Sequence, residues 1–431
     1  MRNNLNKMIL SYRVFTFILY PFLFFFILLR VLLKKEDPKR FKEKILPNYF
    51  NVKKTNNDLL WFHAASVGEL NSIVPIINKL NKNNNFEFLL TTTTLSSGNL
   101  AEEKFKKFNN VNHRYMPYDI NYLTNKFLSL WKPKKIFLVD SEIWPNLILN
   151  AYKKSIPLAL INARLTKKSF RRWTVFPKTS ENIFSKFSLC LCANKETKNY
   201  LEILKAKNIK YEGNIKFLSE IDENSKNTNN EILSKKKFWV AASIHKDEDL
   251  FCLKTHIELK KSFNNVITIL APRHIDRAQR LKAISESMIL KAQILNKDDL
   301  IFKESEIIIV NFFGGLQNFY KEATSVFMGK STIKKLINDS GQNPIDPAKL
   351  NCKVYHGPYV SNFQEIYDIL KTNGISKQID SFEELSKNLV IDFKESIYND
   401  QNKSNLIKSL EEKILYKTMS SVESFVHDKT V

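Results

Sequence analysis

Trp61 to Leu70 reads WFHAASVGEL: an apolar run suited to a buried strand, a turn of small residues from Ala64 to Gly68, and an acid, Glu69, opening a helical pattern. A carboxylate at a strand-to-helix turn stands at the carboxyl edge of a parallel sheet, where open α/β folds place their ligands. Glu69 is therefore the first candidate for chemistry. The alternative is a first-turn acid favoured by the helix dipole and without chemistry. Further along, AASIHKDED (Ala241 to Asp249) and APRHIDR (Ala271 to Arg277) each run from a strand into a helix start, the first carrying His245, the second Arg273, His274 and Arg277. SGQNPIDPAKL (Ser340 to Leu350) opens a helix with Asp346 in its first turn, and VYHGPYVSNF (Val354 to Phe363) follows. Helix starts, Arg and His converging on one cleft make an anion site suited to a phosphate leaving group. An acid at Asp346 can accept hydrogen bonds from ribose hydroxyls. Taken singly, Asp346 reads as a first-turn acid and Arg273 as half of a surface ion pair; together they point to a nucleotide.

These residues need a scaffold, and strand-like runs alternate with helical patterns throughout. Leu59 to Ala65, Phe86 to Thr94, Lys135 to Ser141, Pro157 to Arg164 and Leu189 to Asn194 read as buried strands, with helices such as Asn71 to Leu80 and Asn146 to Lys154 between them. The alternation predicts a doubly wound parallel sheet. Ser219 to Lys237 has almost no core-forming residues and reads as a linker, after which Phe238 to Ser243, Val266 to Pro272, Glu306 to Phe312, Ser325 to Met328 and Lys353 to His356 restart the pattern. The expected fold is α/β: two Rossmann-like domains facing a cleft, the GT-B architecture of glycosyltransferases, with an N-terminal membrane-anchor helix. The expected boundaries are 1–35 for the anchor, 36–218 for the first domain, 219–237 for the linker and 238–431 for the second domain with a helical tail.

A chain of 431 residues, 43% of them apolar, can bury two cores. Its net charge of +23 comes from Lys dispersed through helices, without a helix-turn-helix, zinc-finger or RNP pattern, so no nucleic-acid partner is expected. Cys190, Cys192, Cys252 and Cys352 form no CxxC pair and read as reduced structural thiols. Val14 to Leu33 is almost wholly apolar and aromatic, and about twenty such residues can span a hydrocarbon core. Lys34, Lys35, Lys39, Arg40, Lys42 and Lys44 outweigh Arg2, Lys7 and Arg13, which puts the following domains in the cytoplasm. Pro21 and the N-terminal basic residues leave a helix lying in the membrane plane as the alternative. Either way the segment is expected to supply access to a surface and no chemistry.

The order WFHAASVGEL, TTTTLSSG (Thr91 to Gly98), MPYD (Met116 to Asp119), DSEIWPN (Asp140 to Asn146), INARL (Ile161 to Leu165), GNIKF (Gly213 to Phe217), AASIHKDED, APRHIDR, SGQNPIDPAKL and HGPYVSNF resembles the Kdo transferases of lipopolysaccharide synthesis. These move 3-deoxy-D-manno-octulosonic acid (Kdo) from CMP-Kdo to a lipid A precursor, and the resemblance runs from about Arg13 to about Leu370. It implies an inverting GT-B enzyme at the cytoplasmic face of the inner membrane, with lipid IVA as acceptor on the N-terminal domain and CMP-Kdo as donor on the C-terminal one. Position by position, it implies Glu69 as general base and Asp140, Glu142 and Arg164 as acceptor contacts. Ser243, His245 and Arg273 fall near the phosphate of CMP, Gly341, Asn343 and Asp346 in the stretch that cradles the nucleotide, and Asn362 beside the cleft.

The chain departs from the family's pattern in three places: Asp346 stands for Glu, Lys330 for the second of two glycines, and NFFGG (Asn311 to Gly315) for a stretch with an acid and Gly-Glu. Asp247, Glu248 and Asp249 resemble a DxD metal motif, but acids at a helix start are favoured by the dipole, so they read as structural; neither a catalytic metal nor a cofactor is expected. Three other readings fit part of the pattern: a membrane-associated GT-B enzyme using a UDP-sugar, a basic membrane-associated binding protein without catalysis, and, given the three departures, a degenerate homologue that binds CMP-Kdo but no longer transfers it.

Overall fold

Fully buried apolar strands make the frame, because parallel sheets are covered by helices on both faces. The computed structural model describes residues 2–52, 57–83, 86–221, 229–312, 314–395 and 401–428. The first sheet holds β1 (Asp58–His63), β2 (Phe86–Thr92), β3 (Val111–Tyr115), β4 (Lys135–Val139), β5 (Leu158–Ala163), β6 (Phe187–Cys192) and β7 (Ile209–Tyr211), in the order β3-β2-β1-β4-β5-β6-β7. The second holds β8 (Phe238–Ile244), β9 (Ile267–Pro272), β10 (Ala292–Leu295), β11 (Ile307–Val310), β12 (Ser325–Met328), β13 (Lys353–His356) and β14 (Ser376–Gln378), in the order β10-β11-β9-β8-β12-β13-β14. Neighbours pair in parallel throughout; in the first sheet Trp61 lies between Leu89 and Ile136. Two parallel seven-stranded sheets are the doubly wound architecture expected.

All ten strands read from the sequence are present. The four it lacked, β3, β7, β10 and β14, are the edges of the two sheets. Edge strands are short and half-exposed, so they carry no continuous apolar run. Each sheet has its own core, one around Trp61, Phe127 and Leu160, the other around Trp239, Leu270 and Phe327. The four cysteines are buried and unpaired.

The chain divides into a unit of Met1–Glu220 with Glu411–Val431 and a unit of Ile221–Leu410. The tail expected to belong wholly to the second domain therefore ends on the first. Its last helix, Gln401–His427, buries Met419, Val422, Phe425 and Val426, a stripe at helical spacing. There Phe425 meets Phe137 edge-on at 5.4 Å, Ser421 Oγ donates to Glu212 Oε1 at 2.6 Å, and Lys135 Nζ donates to the carbonyl of Asp428 at 3.0 Å. Of the expected linker, residues 222–228 lie outside the described residues.

The N-terminal apolar segment is helix α1 (Arg2–Leu32), of which Lys7–Leu32 is long and apolar enough to cross a membrane. One face packs on the first unit along its length: Ile27 is buried against Phe41 and Ile45, and Tyr20 donates its hydroxyl to the carbonyl of Ile45. The other face exposes Phe15, Phe17, Ile18, Phe22, Phe25 and Leu29. The basic cluster behind α1 is only partly available to a surface. Lys44 is buried on Glu36 and Arg40 is held by Glu43 and Glu102, whereas Lys34, Lys35 and Lys39 are exposed.

Candidate functional site

At the carboxyl end of β1 the chain turns through Ala64, Ala65 and Ser66 into α2 (Val67–Asn83). The turn is anchored at Ala65, whose carbonyl accepts the Thr93 N–H and, at 3.0 Å, the Ser97 hydroxyl. Glu69 folds back over it: Oε2 accepts the Ala65 N–H at 2.7 Å and Oε1 the Ser66 hydroxyl at 2.9 Å. Burial, then the negative charges of Asp140 and Glu142, push its carboxyl up to about 7, against those two hydrogen bonds.

Asp140 and Glu142, expected beside the cleft, are the two acids whose charges act on Glu69. Asp140 follows β4 in a left-handed conformation (φ 62°), with Lys216 Nζ 2.8 Å from its Oδ2. Its other oxygen is buried and has no hydrogen-bond partner among the described residues. Glu142 Oε2 lies 3.1 Å from His63 Nε2 and accepts the Trp144 indole N–H at 2.8 Å. Burial alone would raise the Glu142 carboxyl, but the hydrogen bond and charge of His63, with the Trp144 N–H, hold it below its ordinary value. Arg164 joins this group through the backbone: its N–H donates to the carbonyl of Asp140, and its carbonyl accepts the Ser141 hydroxyl at 2.8 Å.

Two residues here escaped the sequence reading. His63 was hidden inside an apolar strand, although a polar side chain that is 0% exposed requires partners, and Thr91 Oγ1 at 2.9 Å is another. Lys216 sat in GNIKF; the turn before it, with Gly213 at φ +104° and Asn214 Oδ1 accepting the Lys216 N–H at 3.0 Å, was the available signal.

In the second unit, Ser243 at the end of β8 is also left-handed (φ 55°), and it lines a cavity of about 150 Å³ with Arg273, Ile275, Phe312, Gly314 and Leu316. His245 follows. Burial, then the neighbouring Lys330, His274, Arg277 and Arg273, lower its pKa to about 4, so its ring is neutral at pH 7. Its Nε2 is buried with no hydrogen-bond partner among the described residues. Cations gathered round an unpartnered ring nitrogen suit an anion.

The acidic triplet after His245 is structural in two of its members. Glu248 is 0% exposed and accepts the N–H groups of His245, Lys330, Ser331 and Thr332 as well as the Thr332 hydroxyl, which ties the loop after β12 to the loop after β8. Asp249 pairs with Arg277. Among the described residues no group of three His, Cys, Asp or Glu side chains is placed to hold a metal ion.

Close approach explains two glycines: a Cβ on Gly329 would lie 2.6 Å from Ile244 Cα, and one on Gly341 (φ +83°) 2.8 Å from Val360 Cα. Gly341 also donates its N–H to the carbonyl of Lys330, whose own N–H is held by Glu248. Asn343 Oδ1 accepts the Ile345 N–H at 3.2 Å and orders the turn. Asp346 is part-buried, which raises its carboxyl, and its Oδ2 accepts from Gln317 Nε2 at 3.2 Å. Asn362 is held locally by Asp339 and by the carbonyl of Ser340. Ser243, His245 and Arg273 therefore form one group, and Gly341, Asn343, Asp346 and Asn362 a second that shapes the adjoining loop.

Residues 39–219 match the family model described as 3-deoxy-D-manno-octulosonic-acid transferase (kdotransferase). A 3-deoxy-D-manno-octulosonic acid transferase from Rickettsia bellii is 30% identical over 381 residues, covering 87% of this chain and 88% of that protein. The chain belongs to the Kdo transferase family. The transferase of the same name from Haemophilus influenzae is 28% identical over 325 residues, covering 72% of this chain and 73% of that one. The fold of this Kdo transferase family member recurs in a glycosyltransferase from Rickettsia africae, with a TM-score of 0.55 at 10% identity, over 87% of this chain and all of the other. The chain is thus a glycosyltransferase of GT-B architecture, and the reading as a binding protein without catalysis is set aside. The family match spans Glu69, Asp140, Glu142 and Arg164.

Proposed function

We propose that this chain transfers Kdo from CMP-Kdo to a sugar hydroxyl of a lipid A precursor, lipid IVA, with inversion, at the cytoplasmic face of the inner membrane. The observation that carries the reading is Glu69: a carboxylate at the carboxyl end of a parallel sheet, with its pKa pushed up to about 7, can accept a proton at neutral pH. Glu69 takes the hydroxyl proton as the acceptor oxygen bonds to the anomeric carbon of Kdo. The bond from that carbon to the phosphate oxygen breaks, and CMP leaves with the electron pair. The reacting carbon carries oxocarbenium character. A single displacement needs no enzyme nucleophile, so the configuration inverts.

Asp140, Glu142 and Arg164 bind or orient the acceptor. Ser243, His245 and Arg273 receive the phosphate of CMP, where fixed cations stabilise the charge that develops on departure. Gly341, Asn343 and Asp346 cradle the nucleotide, and Asn362 supports that loop. No metal or cofactor takes part. The membrane partner is met by the exposed aromatic face of α1, and the packing of its other face along the first unit supports a helix lying in the membrane plane over one that spans it. The helix Lys167–Thr174 adds exposed Lys167, Lys168, Arg171 and Arg172, and exposed Val175 and Phe176 follow it, a basic rim with apolar tips suited to anionic lipid.

The test is transfer of labelled Kdo from CMP-Kdo to a tetra-acylated lipid A precursor, counting sugars per product, beside UDP-sugars as donors. Labelled product with the CMP donor alone is expected; turnover of a UDP-sugar in its place would sink the reading.

A further inference from the structure

A short chain of hydrogen bonds joins α1 to the loop that carries Glu142. Tyr12, on α1, donates its hydroxyl to Asp119 Oδ2 at 2.9 Å. The same carboxylate accepts the backbone N–H groups of Asn146 and Leu147, each at 2.9 Å. These are donors that the start of the helix Pro145–Lys153 leaves without intrahelical partners. Asn146 Nδ2 returns to the carbonyl of Asp119 at 2.6 Å. Arg13 adds a second strap, with Nε 3.2 Å from Asn146 Oδ1 and a terminal nitrogen 3.4 Å from Asn150 Oδ1. Asp119 is 6% exposed and Asn146 0%, so this is a buried joint.

The residue that leads into the helix is Trp144, and its indole N–H holds Glu142 Oε2. Glu142 is one of the two acids whose charge bears on Glu69. The order is therefore Tyr12, Asp119, helix start, Trp144, Glu142, Glu69, all within one unit.

We propose that Tyr12 and Arg13 are positioning residues for the acceptor side of the site: α1 completes the cap of the helix Pro145–Lys153 and so sets where Trp144 and Glu142 stand beside Glu69. The proposal rests on the reading of Glu69 as the base. It replaces the expectation that the apolar segment supplies access alone. One face of α1 meets lipid and the other closes the cap, so the site is complete only with α1 in place.

Tyr12→Phe keeps the ring and removes one hydroxyl. With acceptor dispersed in detergent, so that delivery to a bilayer plays no part, kcat/KM for acceptor is expected to fall roughly tenfold, since small displacements of oriented groups are costly. Affinity for CMP, read by calorimetry, should stay that of the parent. The groups facing Glu69 are Asp140, paired with Lys216, and Glu142, paired with His63. If Glu142 moves away, its charge no longer raises the Glu69 carboxyl, and the acid limb of the kcat/KM profile shifts to lower pH. Arg13→Lys keeps the charge, loses the planar fork, and should move both readouts the same way by less. Parent-like acceptor kcat/KM and acid limb in both variants would overturn the proposal, as would a parallel loss of CMP affinity, which marks a global defect. A parent enzyme that transfers no Kdo would instead overturn the functional reading.

Discussion

His63 Nε2 lies 3.1 Å from Glu142 Oε2, and this contact separates the roles of three clustered acids. Lys216 compensates Asp140 and His63 holds Glu142, whereas Glu69 has only the neutral donors Ala65 N–H and Ser66 hydroxyl among the described residues. The uncompensated member is the one whose carboxyl is pushed up to about 7. Titratable neighbours driven apart in this way make Glu69 the candidate for proton exchange.

Removing the Glu142 charge tests that division. In Glu142→Gln the Glu69 carboxyl loses one of the two charges that raise it, so the acid limb of kcat/KM should move down by up to about one pH unit. A limb that stays in place would mean that another group titrates there.

The raised carboxyl also has a stability consequence. Glu69 titrates near its ordinary 4.5 when unfolded and at about 7 when folded. Between those values the folded protein holds a proton that the unfolded chain releases, so stability falls as pH rises through that window. Glu69→Gln cannot lose that proton and should exceed the parent by on the order of 3 kcal/mol at pH 8. Near pH 4 the two should match, as denaturant midpoints at the two pH values will show.

For the donor side, Arg273→Ala should weaken CMP binding by about 1.5–3 kcal/mol, the range for one charge-assisted hydrogen bond. Equal affinities by calorimetry would remove Arg273 from the phosphate site.

Glu248→Ala leaves the N–H groups of His245, Lys330, Ser331 and Thr332 without their shared acceptor. It should destabilise the second unit by at least about 2 kcal/mol and weaken CMP binding, without moving the acid limb set by Glu69. Addition of a divalent ion should not restore it; restoration would reassign the acidic triplet to metal binding.

Much of this was legible in the chain because buried parallel strands are written as unbroken apolar runs, and ten of the fourteen strands described here have them. The edges β3, β7, β10 and β14 were not, since a half-exposed strand looks like a loop. Glu69, Asp140 and Glu142 could be named from motifs at strand ends. His63 and Lys216 could not, because their significance lies in contacts made across the sheet, 79 residues apart for His63 with Glu142 and 76 for Lys216 with Asp140. The double nature of α1 was also hidden: a segment this apolar reads as an anchor throughout, and only the partners of Tyr12, Arg13 and Tyr20 reveal the face that is packed.

The central claim is that Glu69 takes the acceptor proton, and single-turnover Kdo transfer by Glu69→Gln against the parent tests it most directly. The variant should bind CMP as the parent does and transfer at least about a hundredfold more slowly, the loss expected for a general base. Transfer at the parent's rate, with the chemical step limiting in both, would contradict the account.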